Sequence, residues 1–430
     1  MSVFEVAISL TGASDGKFRV EVVRSPAGEA HAVVELNTTG LAVRREPVQQ
    51  ALLASSSRTR RMIPATEQVV QQIGQELFAA LLGTGEVAGR YRSAAAVAAE
   101  RGERLRVVIR IDSPLLANLP WEAMYDQALG GYVCRHEQLV RHVPVPSLPA
   151  PLRVDPPLRV LGVVSSPLGL APLDTGREQD QLERALARPV REGVVEMHWT
   201  AATWADLQTE LMDGPWHVLH YIGHGDFDPR LDEGVLALER EEDGRADLVS
   251  ATRIVDLLGQ AHPMPRLVLL NSCSGATTGT TDLFSGTAGT LVRGGISAVV
   301  AMQYAISDAA AIAFARGFYT AIARGRGVDQ AVTAGRVAIL GTSQDTLEWV
   351  TPVLYLRGDQ THLYTIPQAA SNPLQVGDRR YRSSPISQKD DRVEIIWDPL
   401  TRTRRFLVPP AIAWEWIRNL GQEESSNDER

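Results

Sequence analysis

Short apolar runs alternate with helical stretches over most of the second half of the chain. Val, Leu and Ile dominate these runs, which predict strands at residues 158–165, 194–199, 217–222, 235–238, 266–271, 296–302 and 352–356. Apolar residues at helical spacing predict helices at residues 178–187, 203–212, 251–258, 283–293, 309–324 and 329–340. Apolar strands between amphipathic helices are typical of an α/β fold, in which helices cover both faces of a mostly parallel sheet.

The first 150 residues have a different order of elements. The hydrophobic pattern predicts strands at residues 4–10, 18–23, 32–36 and 105–111, with helices at residues 47–54 and 66–82. Six prolines from Pro144 to Pro157 then predict a stiff, extended connector. We therefore expect an N-terminal α/β region over residues 1–150 and a second domain over residues 151–366.

Residues 367–430 predict a small C-terminal unit. The pattern indicates a polar linker at residues 371–391, two strands around an Asp398-Pro399 turn within residues 392–410, a helix at residues 411–420 and a disordered tail. Trp397, Trp414 and Trp416 suggest that this unit is an interaction module that docks a partner. The alternative, which we favour, is that the three tryptophans only pack the unit together.

Composition excludes several classes of partner. Among 430 residues, 51 acidic side chains outnumber 43 basic ones, and the net charge of −8 argues against direct nucleic-acid binding and against a polybasic membrane anchor. No apolar run reaches the roughly 20 residues of a membrane-spanning helix. The N-terminal residues MSVFEVAISL lack the pattern of a signal peptide, so we expect a cytoplasmic protein.

A histidine and a cysteine each follow a predicted strand directly. His224 comes just after the strand at residues 217–222, and Cys273 just after the strand at residues 266–271. Residues beyond the carboxyl ends of neighbouring parallel strands share one crevice, where an imidazole can activate a thiol nucleophile. Their separation of 49 residues agrees with the spacing of about 50 residues in caspase-type proteases.

The backbone next to these two residues is also suited to catalysis. Gly225 has no side chain to block its N–H group, which could form an oxyanion hole together with the N–H group of Cys273. The alternative is that Cys273 is a small apolar residue at a buried strand end. For Cys134, in a strand-like run, we favour the structural interpretation.

Metal binding has little support in the sequence. His220 lies four residues before His224, but a zinc pair at this spacing requires a helix, and these residues fall on a strand and its end. The acidic stretch at residues 225–234 lacks the ligand spacing of an EF-hand and is interpreted as a solvated turn. We therefore expect no metal and no cofactor.

Three sequence blocks resemble the signature blocks of the CHAT family, which belongs to the caspase-like cysteine peptidases together with separases and gingipains. They are HYIGHG at residues 220–225, NSCSG at residues 271–275 and LVRGGISAVVAMQ at residues 291–303. The resemblance spans roughly residues 155–358. It implies a caspase-like three-layer fold, preceded by a pseudo-protease-like or regulatory N-terminal region and followed by the C-terminal hairpin and helix.

The resemblance also implies an activity. It makes His224 the catalytic histidine and Cys273 the nucleophile, with the N–H groups of Gly225 and Cys273 as oxyanion hole. The reaction implied is hydrolysis of a peptide bond in a protein substrate through a thioester intermediate. No third catalytic residue is required in this family, and we nominate none.

A substrate pocket is implied around Asn271, Gln303, Tyr304 and Asp308. Family members that cut after basic residues place a carboxylate in this pocket, and Asp308 is the acidic candidate, so a P1 Arg or Lys is the expectation. Asp308 also fits the first turn of a helix that is capped by Ser307. We favour the capping interpretation of this pair.

Regulation is expected to involve another protein. Many family members carry helical repeats that recognise a partner, and this chain has none. The resemblance therefore suggests a separately encoded regulatory partner that activates proteolysis, in a bacterial defence or stress pathway such as antiviral defence. A catalytically silent scaffold with the same fold, or another thiol chemistry such as acyl transfer, are the alternatives.

Overall fold

The computed structural model describes residues 2–11, 16–56, 63–111, 113–145, 149–173, 175–271, 285–343, 345–367, 394–398 and 403–407. The chain divides into two compact units, Met1–Ala370 and Ser371–Arg430. The predicted boundary between residues 150 and 151 falls inside the first unit. No helix in the described part of the chain is long and apolar enough to cross a membrane.

The first unit begins with three strands, four helices and the short elements that follow them. These are β1 Val3–Leu10, β2 Lys17–Arg24, β3 Ala30–Glu35, α1 Thr38–Val43, α2 Arg45–Ser56, α3 Ile63–Leu81, α4 Gly85–Glu100, β4 Arg106–Ile111, α5 Pro114–Ala117, β5 Tyr125–Asp126, β6 Gly131–Tyr132, α6 Val133–His136 and β7 Gln138–Val143. The helix α4 and the short helix α6, which contains Cys134, were not predicted, and residues 131–136 are not a continuous strand.

From residue 152 onward the unit contains further strands and helices. In order they are β8 Leu152–Arg153, β9 Leu158–Val164, α7 Thr175–Arg191, β10 Val195–Thr200, α8 Trp204–Asp213, β11 Val218–Ile222, β12 Gly225–Asp228, β13 Glu233–Glu239, β14 Ala246–Ser250, α9 Ala251–Leu258 and β15 Leu267–Asn271. The unit continues with α10 Ser285–Arg293, β16 Ala298–Met302, α11 Asp308–Ala323, α12 Val328–Leu340, β17 Pro352–Arg357 and β18 Tyr364–Thr365.

One eleven-stranded sheet runs through this unit, in the order β10-β9-β11-β15-β16-β17-β7-β4-β1-β2-β3. In this order the first five strands, β10, β9, β11, β15 and β16, are parallel to one another. The next four, β17, β7, β4 and β1, form a second parallel block that runs the opposite way. Residues 1–150 and 151–366 join where Tyr355 of β17 pairs with Arg141 of β7. The prediction of an α/β fold with a mostly parallel sheet is confirmed.

Helices cover both faces of this sheet. Side chains on a strand alternate between its two faces, so one strand contributes to two cores. In β11, Val218 and Ile222 belong to a core that includes residues of α7, α11 and α12. Leu219 and Tyr221 of the same strand belong to a second core, with residues of α8, α9 and α10. The three-layer prediction is thereby confirmed.

A smaller antiparallel sheet lies next to the end of β11. It consists of β12, β13 and β14, so the run at residues 235–238 forms a strand outside the large sheet. An apolar run of four residues indicates a buried strand but cannot indicate which sheet it joins.

The second unit contains the predicted hairpin. Its strands are β19 Glu394–Asp398 and β20 Thr403–Leu407, which pair antiparallel with Trp397 opposite Arg404. The predicted linker at residues 371–391, the predicted helix at residues 411–420 and its two tryptophans, Trp414 and Trp416, lie outside the described residues.

Candidate active site at the carboxyl ends of β11 and β15

The strands that precede the candidate catalytic residues are neighbours in the sheet. β11 and β15 are parallel and in register, with Ile222 opposite Asn271. The N–H group of Gly223 extends this pairing, donating to the carbonyl oxygen of Asn271 at 3.1 Å. Both strands therefore end at the same edge of the sheet, which is where α/β proteins bind ligands.

The His224 side chain is half-buried and oriented by a main-chain carbonyl. Its Nε2 atom lies 2.8 Å from the carbonyl oxygen of Ala171, in the loop after β9. A carbonyl oxygen can only accept a hydrogen bond, so in the neutral form of the ring the hydrogen lies on Nε2. The Nδ1 atom is then the acceptor, which is the state a general base needs.

Two buried hydroxyl groups hold the backbone of this loop. The Tyr221 hydroxyl lies 2.9 Å from the carbonyl oxygen of His224 and 2.7 Å from that of Ala237, and the Ser165 hydroxyl donates to the Ala237 oxygen at 2.6 Å. Burial raises the pKa of Tyr221 far above its usual range, so the hydroxyl keeps its proton. A Cβ atom at Gly223 would lie 2.5 Å from this hydroxyl, which explains the glycine.

The remaining catalytic positions can be located only in part. Gly225 is the first residue of β12 and lies opposite Leu236 of β13. Cys273 lies outside the described residues. The dyad of His224 and Cys273, and the oxyanion hole of Gly225 and Cys273, therefore remain proposals.

Two of the four predicted pocket residues line one cavity. Asn271 and Asp308 meet there with Glu178 of α7, around a volume of about 10 Å³ between α7, α11 and the ends of β11 and β15. This is room for about one water molecule. The Oδ1 atom of Asn271 is buried and has no hydrogen-bond partner in the described part of the chain.

His220 forms the inner wall of this cavity. It is fully buried, with Nδ1 3.1 Å from the hydroxyl oxygen of Tyr319 on α11, and its Nε2 atom has no partner among the described residues. Burial lowers the pKa of His220 to about 3, so the ring is neutral near pH 7. As predicted, it lies on the same strand face as Val218 and Ile222.

Gln303 and Tyr304 do not line this cavity. Gln303 is buried, and its Nε2 atom donates to Glu122 at 3.1 Å and to the carbonyl oxygen of Val350 at 3.0 Å. Tyr304 is buried beneath Arg45, whose guanidinium carbon lies 4.8 Å from the ring centroid. Both side chains thus connect the end of β16 to the protein interior.

The two interpretations of Asp308 are compatible. Ser307 is the N-cap of α11 and accepts a hydrogen bond from the N–H group of Ala310, which confirms the predicted cap. Asp308 lies in the first helical turn and also lines the cavity. Glu348 fixes the cap, since its carboxylate accepts from the N–H group of Ser307 at 2.6 Å and from its hydroxyl at 2.9 Å.

The helix α2 was predicted, at residues 47–54, but its contacts with this loop were not. Gln49 of α2 accepts from the N–H group of Ala305 at 2.7 Å and donates to its carbonyl oxygen at 3.1 Å. Arg45 donates to the carbonyl oxygen of Gln303 at 2.6 Å. Such contacts between residues more than 250 positions apart leave no local pattern, and the carbonyl of Ala171 leaves none either.

Other candidate groups take structural roles. Cys134 is fully buried, and burial raises the pKa of its thiol to about 11, which keeps it protonated and unreactive. Asp228 closes the turn after β12 by accepting from the N–H group of Arg230 at 2.8 Å. The described residues contain no group of three or more His, Cys, Asp or Glu side chains that could hold a metal.

The fold and site define an α/β protein with its candidate chemistry at the carboxyl edge of a parallel sheet. The chain belongs to the CHAT domain family, whose match covers residues 31–384. The predicted resemblance is therefore confirmed. The match begins within residues 1–150, which were expected to form a separate region.

Solved structures with a similar chain arrangement are distant in sequence. Two are crystal structures of the Saccharomyces cerevisiae separase-securin complex, at 11% and 12% identity with TM-scores of 0.46 and 0.44. Each covers 83% of this chain, which spans only 30% of the separase chain. A complex of Porphyromonas gingivalis RgpB pro- and mature domains has 10% identity, a TM-score of 0.35 and coverage of 75% and 77%. No curated protein matches the sequence.

Proposed function

We propose that this CHAT-domain protein is a cysteine endopeptidase that hydrolyses peptide bonds of a protein substrate with His224 and Cys273. The observation that carries the proposal is the hydrogen bond between His224 Nε2 and the Ala171 carbonyl oxygen at 2.8 Å. It leaves Nδ1 as the acceptor at the edge where the strand that precedes Cys273 ends.

Chain geometry supports a thiol-imidazole pair. Hydrogen-bonded neighbouring strands such as β11 and β15 lie about 4.8 Å apart. His224 and Cys273 follow the paired residues Ile222 and Asn271 by two positions each. Two peptide units span at most about 7.6 Å, so the chain length allows the two side chains to meet.

The proposed reaction uses this pair in two steps. Proton transfer from the Cys273 thiol to Nδ1 of His224 gives a thiolate, which attacks the carbonyl carbon of the scissile bond. The N–H groups of Gly225 and Cys273 stabilise the resulting oxyanion. The imidazolium, held by the Ala171 carbonyl, then protonates the leaving amine as the C–N bond breaks, and water hydrolyses the thioester.

The cavity beside Asn271 supports a basic P1 residue. Glu178 and Asp308 provide carboxylates and Asn271 provides an unpartnered carbonyl oxygen, which together match a guanidinium or ammonium group. The volume of about 10 Å³ is too small for such a side chain. The pocket must open before a substrate binds, which supports a peptidase that is held inactive until a partner or ligand acts.

A separately encoded regulatory protein would open the pocket, and the bacterial defence or stress setting follows from the family resemblance. The hairpin that carries Trp397 is a candidate docking element for this partner. A cytoplasmic location remains a prediction.

Covalent labelling tests the activity. Peptidyl inhibitors with Arg, Leu, Met or Asp at P1 are incubated with the wild type and with the Cys273→Ala, His224→Ala and Cys134→Ala variants, with adducts located by intact and peptide mass spectrometry. We expect an adduct on Cys273 that requires His224, is strongest with Arg and is unchanged by loss of Cys134.

A regulated enzyme also needs its activator, so labelling is repeated with the neighbouring gene products added. An adduct that survives the His224→Ala change would contradict the dyad. A folded protein without any adduct, alone or with those products, would favour the catalytically silent scaffold.

A further inference from the structure

A large open groove lies away from the candidate active site. The last turns of α11, one face of α12, residues 102–104 and the start of β7 enclose about 660 Å³. Small-molecule sites typically have volumes of roughly 300 to 1,000 Å³. The groove is therefore large enough for a metabolite or nucleotide.

Basic side chains dominate the charge of the groove. Arg104, Arg324 and Arg326 line it, together with one acidic residue, Glu103, whose carboxylate accepts a hydrogen bond from the Ser2 hydroxyl at 3.1 Å. In the described part of the chain, none of the three guanidinium groups lies in an ion pair within 4 Å. On a chain with a net charge of −8, such a cluster attracts anions.

Structural roles account for only part of this cluster. Arg324 is the C-cap of α11, where a positive charge interacts favourably with the helix dipole. Its charge also helps to lower the pKa of Glu192. The charge of Arg104 stabilises the carboxylate form of Glu137. Arg326 lies between α11 and α12, and its side chain has no hydrogen bond or ion pair among the described residues. The three guanidinium groups line one groove, and arginine matches phosphate oxygens in a bidentate manner.

A buried polar atom in the groove lacks a hydrogen-bond donor among the described residues. Gln138, the first residue of β7, is 5% exposed, and its Oε1 atom has no hydrogen-bond partner among the described residues. A carbonyl oxygen of this kind accepts from N–H or O–H groups. An inorganic anion without protons cannot supply that bond, whereas a nucleotide offers hydroxyl and amino groups beside its phosphates.

We propose that this groove binds a nucleotide-class ligand, with its phosphates on Arg104, Arg324 and Arg326 and a hydroxyl or amino group on Gln138. The site is distinct from the candidate active site. Asp308, at the first turn of α11, lines the small cavity, and Arg324 follows the last turn. Sixteen residues of helix span about 24 Å. The ligand is thus an effector rather than a substrate, and it contacts the helix that borders the substrate cavity.

Calorimetric titration of the full chain tests this binding without any assay of proteolysis. The probes are ATP, inorganic tripolyphosphate and a hexaglutamate peptide. We expect saturable binding of ATP that weakens about tenfold or more in the Arg104→Gln/Arg326→Gln variant. The matched control is Arg153→Gln/Arg184→Gln, which removes the same charge at exposed positions outside the groove and should change the affinity less than about twofold.

Two further variants test the details of recognition. Val337→Glu adds a negative charge at an exposed position in the groove and should weaken ATP binding without disturbing the core. Gln138→Leu should abolish the preference for ATP over tripolyphosphate, and thermal unfolding checks that each variant is folded. No saturable ATP binding, equal affinities in both double variants, or binding of hexaglutamate alone would each overturn the proposal.

Discussion

The side-chain amide of Gln49 exchanges two hydrogen bonds with the main chain of Ala305. Its Oε1 atom accepts from the Ala305 N–H group at 2.7 Å, and its Nε2 atom donates to the Ala305 carbonyl oxygen at 3.1 Å. Ala305 is buried, and it lies two residues before the N-cap of the helix that borders the candidate substrate cavity. The N-terminal segment thus supports the candidate site directly.

The first prediction concerns this contact. Gln49→Ala leaves two buried main-chain groups without partners, which should cost about 1 to 3 kcal/mol of unfolding free energy. It should also slow labelling of Cys273 by an Arg inhibitor, because the loop that leads to Asp308 loses its support. Urea unfolding and the labelling rate measure the two effects. Gln50→Ala, which removes only an exposed bond to Glu46, is the control, and equal labelling rates in both variants would refute the positioning role.

The second prediction concerns the hydroxyl that holds the His224 loop. Tyr221→Phe removes the group within 2.9 Å of the His224 carbonyl oxygen, so labelling of Cys273 should slow several-fold while the unfolding free energy falls by about 1 kcal/mol. Tyr364→Phe is a matched control. The buried hydroxyl of Tyr364 donates to the carbonyl oxygen of His217 at 2.7 Å, and His217 directly precedes β11, at the end of the strand away from His224. This control should lose similar stability yet label at the wild-type rate. Equal slowing in the two variants would mean that only stability matters.

Part of the fold and of the candidate site could be predicted from the sequence alone. The strands that end near His224 and Cys273 could be predicted within one residue, because a buried strand is a local run of apolar side chains. The pairing of β11 with β15 agrees with the expectation that these two strands are parallel neighbours in one sheet. The cap at Ser307 was also readable, since it depends on neighbouring residues.

Long-range contacts explain what was missed. The family resemblance implies a pocket role for Gln303, but Glu122 and Val350, far along the chain, bind its amide in the interior. The role of Ala171 depends on its main-chain carbonyl, which every residue has. The separate antiparallel sheet that contains β13 and the pairing of β7 with β17 likewise depend on tertiary contacts, which hydrophobic periodicity does not encode.

The third prediction concerns pH. Burial lowers the pKa of His220 to about 3, below the unfolded value of about 6.5, so between these values the unfolded chain binds the additional proton. The histidine therefore destabilises the fold as pH drops through this window and has no such effect above it. His220→Phe should flatten the dependence of unfolding free energy on pH between pH 4 and 6 by as much as about 1.4 kcal/mol per unit. Urea unfolding at each pH measures the slope, and an exposed-site control, His262→Gln, should leave it unchanged.

The fourth prediction concerns the ion pair that joins β7 to the 3-10 turn at Trp121–Ala123. Arg141 and Glu122 are both about 2% exposed or less, and Arg141 also donates to the carbonyl oxygen of Leu119 at 3.0 Å. Removing one partner leaves a buried charge uncompensated, so Arg141→Met should cost about 3 to 5 kcal/mol of unfolding free energy. The double change with Glu122→Gln should recover part of this loss, because no carboxylate then remains uncompensated. Urea unfolding of both variants measures the difference, and a double variant less stable than Arg141→Met would show that Glu122 supports the fold through its other partner, Gln303.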